Sequence, residues 1–170
     1  MYRHSLLIKL CLCVAIFWLA SNFVIHNKAN ALSIQQVRFG LHPDKTRLVV
    51  ELDQSTAFKA FVIENPYRLV VDLPAYKWNA GSVLKPKSTI VRDLRTGSLS
   101  TKRSRLVVDL NQPAAIQSAF LLPQTPQKPY RLVIDFKTIS PNEFKNVSSK
   151  HFGTLQPPEK ITQKPKVNFN

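Results

Sequence analysis

From Ile34 onward apolar and polar residues alternate with a period of two, the spacing of strands that turn one face to a core. Four runs repeat one phrase: TRLVVELD (46–53), PYRLVVDLP (66–74), SRLVVDLN (104–111) and PYRLVIDF (129–136). One side of these runs is wholly apolar: Leu48, Val50 and Leu52; Leu69, Val71 and Leu73; Leu106, Val108 and Leu110; Leu132, Ile134 and Phe136. The other side reads arginine, valine, acid: Arg47, Val49 and Glu51; Arg68, Val70 and Asp72; Arg105, Val107 and Asp109; Arg131, Val133 and Asp135. Runs rich in β-branched residues and flanked by turn residues are strands.

Weaker alternation marks strands in IQQVRFG (34–40), FKAFVIE (58–64), STIVRDLRTG (88–97) and AIQSAFLL (115–122). The chain is therefore written twice, over 34–74 and 88–137, with Val37-Arg38 matching Val91-Arg92 and a linker over 75–87. The expected fold is all-β: a sandwich of two similar four-stranded antiparallel sheets from an internal duplication, each half forming one sheet. A small sheet with one wet side is marginal alone, so the two apolar faces stack into a shared core. Turns are expected at HPDK (42–45) and ENP (64–66), and a longer loop at LLPQTPQKP (121–129). After Lys137 the alternation stops, and 138–170 reads as a Pro- and Lys-rich linker or disordered tail.

The first 31 residues read as a signal peptide rather than as fold. Arg3 and Lys9 form a positive n-region, LCLCVAIFWLA (10–20) an apolar h-region, and Ala29-Asn30-Ala31 a small-residue cleavage signal. Cleavage after Ala31 releases a chain starting at Leu32; retention of the segment as an anchor is the alternative. Both cysteines, Cys11 and Cys13, lie in this leader, so the exported chain has no disulfide and no thiolate metal site.

Charge then narrows the partners. The 170 residues carry 24 Lys and Arg against 10 Asp and Glu. Such an excess suits a polyanion: nucleic acid, an anionic membrane surface or a cell-wall polymer. Export and the lack of aromatics interleaved on the outward positions speak against nucleic acid.

No catalyst is legible. Beyond the leader only His42 and His151 remain, one in a predicted turn and one in the tail, without metal-ligand spacing. There is no nucleophile elbow and no Gly-rich phosphate loop, so neither metal nor cofactor is expected. The candidate binding residues are those of the polar faces: Arg47, Arg68, Arg105 and Arg131 with Glu51, Asp72, Asp109 and Asp135, joined by Arg38 and Arg92 on the leading strands. Arginine offers paired donors to carboxylates, and the acids accept from hydroxyl or amide groups. The competing role for each is a cross-strand ladder that only solubilises the sheet. Tyr67 and Tyr130 follow proline at matched positions and read as structural corners; Trp78 is either a plug or a sugar-stacking group.

The doubled pattern of V-R, RLVVDL and PYRLVVDLP behind a leader resembles the AMIN domain, the N-terminal module of periplasmic N-acetylmuramoyl-L-alanine amidases and type IV pilus secretins. The resemblance spans 34–137. It implies a sandwich of two symmetrical four-stranded sheets, a periplasmic location in a Gram-negative envelope, and a peptidoglycan-binding role that places a host protein at the division septum. No residue here matches the zinc-binding segment of the amidases. The expectation is a non-catalytic peptidoglycan-binding module that touches no membrane once exported. Two alternatives stand: the N-terminal part of a zinc-dependent amidase, and a docking module for a secretin, divisome or other envelope protein.

Overall fold

The computed structural model describes residues 31–83 and 90–153. The signal peptide with its cysteines, the lysines at 85 and 87, and the tail beyond 153 lie outside the described residues. The elements are β1 (Leu32–Leu41), β2 (Thr46–Leu52), β3 (Lys59–Ile63), β4 (Arg68–Pro74), β5 (Tyr76–Trp78), β6 (Val91–Ser100), β7 (Arg103–Leu110), β8 (Ala114–Leu122), β9 (Tyr130–Thr138), a short helix α1 (Pro141–Val147) and β10 (His151–Phe152). The fold is all-β, as the alternation requires.

The sheets are not the halves. One sheet runs β5-β1-β2-β9-β8 and the other β10-β3-β4-β7-β6, so each has five strands and draws on both halves. The four repeated phrases are β2, β4, β7 and β9, and they pair with one another: β2 with β9, β4 with β7, both antiparallel. The physical reason lies in the phrase itself. Each carries an arginine near its start and an acid near its end. Antiparallel pairing of two copies sets Arg47 opposite Asp135 and Glu51 opposite Arg131, and likewise Arg68 opposite Asp109 and Asp72 opposite Arg105. Opposite charges directly across a ladder are favourable and like charges are not. Exchanging the halves carries the order β1-β2-β9-β8 onto β6-β7-β4-β3, so the two sheets repeat one plan.

Both sheets share one core, to which every predicted inward residue from Leu48 to Phe136 belongs. Leu48, Leu69, Leu106, Leu132 and Ile134 are wholly buried. Each such side chain contributes about 1.5–3 kcal/mol relative to exposure. The outward faces depart from expectation. Val49, Val70 and Val133 are also buried, and so are Asp72, Asp109 and Asp135. Each of these aspartates is held by an arginine: Asp135 by Arg47, Asp109 by Arg95 and Asp72 by Arg105.

The turns form where Pro, Asp and Asn stand. The His42 N–H donates to the Lys45 carbonyl at 2.9 Å, closing the β1–β2 hairpin. Asn65, at a φ of 62°, sits in the β3–β4 turn, where an asparagine tolerates the left-handed region. The fifth strands lie in segments the alternation leaves blank. β5, in the predicted linker, pairs parallel with β1, and β10 pairs with β3.

The irregular tail expected from 138 is folded as far as Gly153. Ser140 caps α1: its Oγ accepts from the Glu143 N–H at 3.3 Å while the Ser140 N–H donates to Glu143 Oε2 at 2.8 Å, a reciprocal capping box with proline at the first turn. This holds the Glu143 carboxyl below its usual range, chiefly through the Ser140 backbone N–H. Phe144 is 1% exposed and meets the Tyr67 ring edge-on at 5.1 Å, which makes Tyr67 the structural corner its position suggested. His151 then lies in β10 rather than in loose chain. No described helix is long and apolar enough to cross a membrane.

Candidate binding faces

The outer face of each sheet is a grid of three rows, and the rows correspond. In the first sheet the middle row is Arg38, Val49, Val133 and Phe120; in the second it is Arg95, Val107, Val70 and Phe61. On one side of each middle row stands an arginine–aspartate pair. Arg47 donates from Nε and Nη2 to both oxygens of Asp135 at 2.6 and 2.8 Å. Arg105 does the same to Asp72 at 2.6 and 2.9 Å. On the other side Arg38 reaches Glu51 at 2.7 Å, and Arg95 grips Asp109 through two bonds at 2.7 and 2.9 Å.

This overturns one match made from sequence. Arg38 corresponds to Arg95, not to Arg92. A bulge between Val91 and Asp93 takes Arg92 out of the ladder and leaves its side chain 53% exposed, 4.0 Å from Asp109. It also changes what the acids can do. Asp72, Asp109 and Asp135 lie under the guanidinium groups that bind them, so they face arginine rather than a ligand. Lys45 adds a third bond to Asp135 at 3.0 Å. The Arg47 bond, helped by Lys45 and opposed by burial, holds the Asp135 carboxyl down to about 2. The same pairs push the guanidinium groups of Arg47, Arg95 and Arg105 above their ordinary range. What remains for a partner is the outer edge of these cations, with side chains about one third exposed at Arg47 and Arg105 and 45% exposed at Arg38.

Arg68 and Arg131, the remaining equivalent pair, behave differently. Arg68 donates to the Asn65 and Pro66 carbonyls at 3.2 Å and so ties down the β3–β4 turn. Arg131 lies opposite Glu51, and its Nε is buried without a hydrogen-bond partner.

The two faces also differ in their aromatics, which the sequence reading did not single out. The ring of Phe61 has the Lys59 ammonium and the Arg105 guanidinium each at 5.6 Å. At the place of Lys59 the first sheet has Ser118, and Phe120 is left 39% exposed. AIQSAFLL was read as a strand with no side assigned to Phe120; the register shows that it ends a row of valines. Among the described residues no group of three or more His, Cys, Asp and Glu is set to hold a metal ion.

Comparison with known proteins identifies the family. The family model described as the AMIN domain matches residues 36–125. That range ends before β9, which the structure places inside one sheet, between β2 and β8. The chain is 35% identical over 97 residues to N-acetylmuramoyl-L-alanine amidase AmiC of Neisseria meningitidis serogroup B (strain ATCC BAA-335 / MC58). The match takes in 53% of this chain and 23% of that protein, so the chain spans about a quarter of the curated relative it matches.

Proposed function

Since the chain belongs to the AMIN domain family, we propose that it is an exported, non-catalytic module that binds peptidoglycan in the periplasm of a Gram-negative envelope and holds its host at the division septum. The observation that carries this reading is the pair of outer faces, each with arginines whose carboxylate partners lie beneath them. A bidentate carboxylate occupies two of the five N–H donors of a guanidinium. The rest point outward from a fixed position, which suits carboxylates on peptide stems and acceptors on the glycan. Arg38, Arg47, Arg92, Arg105 and Arg131 are the proposed contacts. Asp72, Asp109 and Asp135 orient them, and Arg68 holds a turn. Beyond the leader, which holds Arg3, Lys9 and Lys28, the chain keeps 21 of its 24 Lys and Arg against all 10 Asp and Glu, and this excess adds attraction to an anionic wall.

Pelleting residues 31–170 with purified sacculi tests the reading. Recovery with sacculi is expected to exceed recovery without them, and to fall as salt screens the exposed cations. The double variant R38A/R92A, which leaves the buried carboxylates of Asp72 and Asp135 paired, is expected to weaken recovery severalfold. Equal recovery with and without sacculi rejects the proposal. Retention on a purified envelope protein in place of sacculi would favour the docking role instead.

A further inference from the structure

The two outer faces follow one plan, so each is a control for the other. Arg131 of the first sheet stands where Arg68 stands in the second. Leu122 lies across from it where Ile63 lies across from Arg68, and Phe120 takes the place of Phe61. In the second sheet these groups are occupied. Arg68 donates to the Asn65 and Pro66 carbonyls, because the short link 64–67 between β3 and β4 turns back over it. The Phe61 ring has the Lys59 ammonium and the Arg105 guanidinium over it.

In the first sheet the same groups are left over. β8 and β9 are joined by the longer link 123–129, which closes on itself: the Thr125 and Lys128 N–H groups donate to each other's carbonyls at 2.9 and 3.2 Å. Among the described residues the half-buried Arg131 side chain makes no hydrogen bond and no ion pair, and its Nε is buried. Glu51, directly across from it on β2, is taken by Arg38 at 2.7 Å. Ser118 stands in place of Lys59, and among the described residues no cation or ring covers Phe120, which is 39% exposed.

Burying a guanidinium donor without an acceptor is costly. A carboxylate supplies two acceptors at the spacing of the guanidinium fork. Arg38, Arg131 and Glu51 together leave one positive charge, so a second carboxylate is attracted to this row. The neighbours of Arg131 on β8 are apolar. Leu122 is directly opposite, at about 5 Å between Cβ atoms, and Phe120 is on the diagonal at about 7–8 Å. A carboxylate with an aliphatic group on the adjoining carbon meets both. We infer that the first sheet has a seat the second lacks: Arg131 holds the terminal carboxylate of a peptide, whose last, aliphatic side chain lies against Phe120 and Leu122. The carboxylate-and-aliphatic chemistry rests on this face alone; its assignment to the D-alanine ends of wall peptide stems rests on the wall-binding reading above.

N-acetyl-D-alanyl-D-alanine and its C-terminal amide are titrated into isotope-labelled residues 31–170, with amide shifts in β8 and β9 as the readout. The acid is expected to bind saturably, and the amide at least tenfold more weakly, the worth of one charge-assisted hydrogen bond. Arg131→Gln should weaken the acid at least tenfold, and Phe120→Ala, which leaves the core intact, severalfold. Arg68→Gln should leave it unchanged. Equal binding of acid and amide, or a loss in Arg68→Gln as large as in Arg131→Gln, overturns the inference. Tighter binding of the L,L dipeptide would assign the seat to a protein C-terminus and overturn its assignment to the stems. If the acid leaves β8 and β9 unmoved while sacculi are still pelleted, the seat falls and the wall-binding reading stands. If the acid binds and sacculi are not pelleted, the reverse holds.

Discussion

Replacing Asp135 by asparagine tests the central electrostatic claim about the outer faces. Asp135 is 4% exposed and accepts three charge-assisted bonds, two from Arg47 and one from Lys45. Its carboxyl is held at about 2, against an ordinary value of 3.8. The folded chain thus favours the ionised form by nearly two pH units, an upper bound of about 2.5 kcal/mol at 1.36 kcal/mol per unit. Water around the one-third-exposed Arg47 lowers the working figure to about 2 kcal/mol. The sign follows from a depressed carboxyl. The stabilisation is complete above the unfolded value near 4 and is lost as pH falls through the folded value near 2. Urea denaturation of residues 31–170, followed by Trp78 emission at steps from pH 6 to pH 2, measures it. Asp135→Asn should cost about 2 kcal/mol at pH 6, and most of that deficit should vanish by pH 2, where the wild-type carboxyl is losing its charge. A deficit that stays constant within about 0.5 kcal/mol across the range would refute the reasoning, because the asparagine would then be harming shape rather than charge.

Two further changes probe the segment after β9. Phe144→Ala empties a buried site against Tyr67 and should cost about 3–5 kcal/mol in the same urea assay, whereas Phe120→Ala on the exposed end of a row should cost under about 1 kcal/mol. Gly153→Ala strains a residue at a φ of +71° and brings a Cβ within 2.5 Å of the Phe58 carbonyl. It should release β10 from β3, seen as faster amide exchange at His151 and Phe152; unchanged exchange there would show that the strand is held without Gly153.

Much of this molecule was legible because its signals are local and periodic. Alternation placed the eight longer strands within a few residues, and the inward leucines and valines of the repeated phrases are the core. β5 and β10, at three and two residues, are too short for any period to show. The helix was a different matter: Ser140-Pro141-Asn142-Glu143 spells a capping box with proline in the first turn, and reading for caps rather than for alternation would have found it. Arg92 was matched to Arg38 because the dipeptide Val-Arg recurs at 91–92, whereas the register, with a matching bulge in β1 and β6, sets the counterpart of Arg38 three residues further on, at Arg95.

By itself, then, the amino-acid order determined that the chain is all-β, which side of the four repeated strands enters the shared core, and that Arg and acid recur at matched positions. Those properties depend on neighbours within one strand. Only the tertiary structure decided that the halves interleave, that Arg47 belongs to Asp135 and Arg105 to Asp72, and that the aspartates lie beneath their arginines. Each of those pairings joins residues at least 33 positions apart. Any two of the four near-identical phrases satisfy the same local rules, and only closure of a single core selects which two meet.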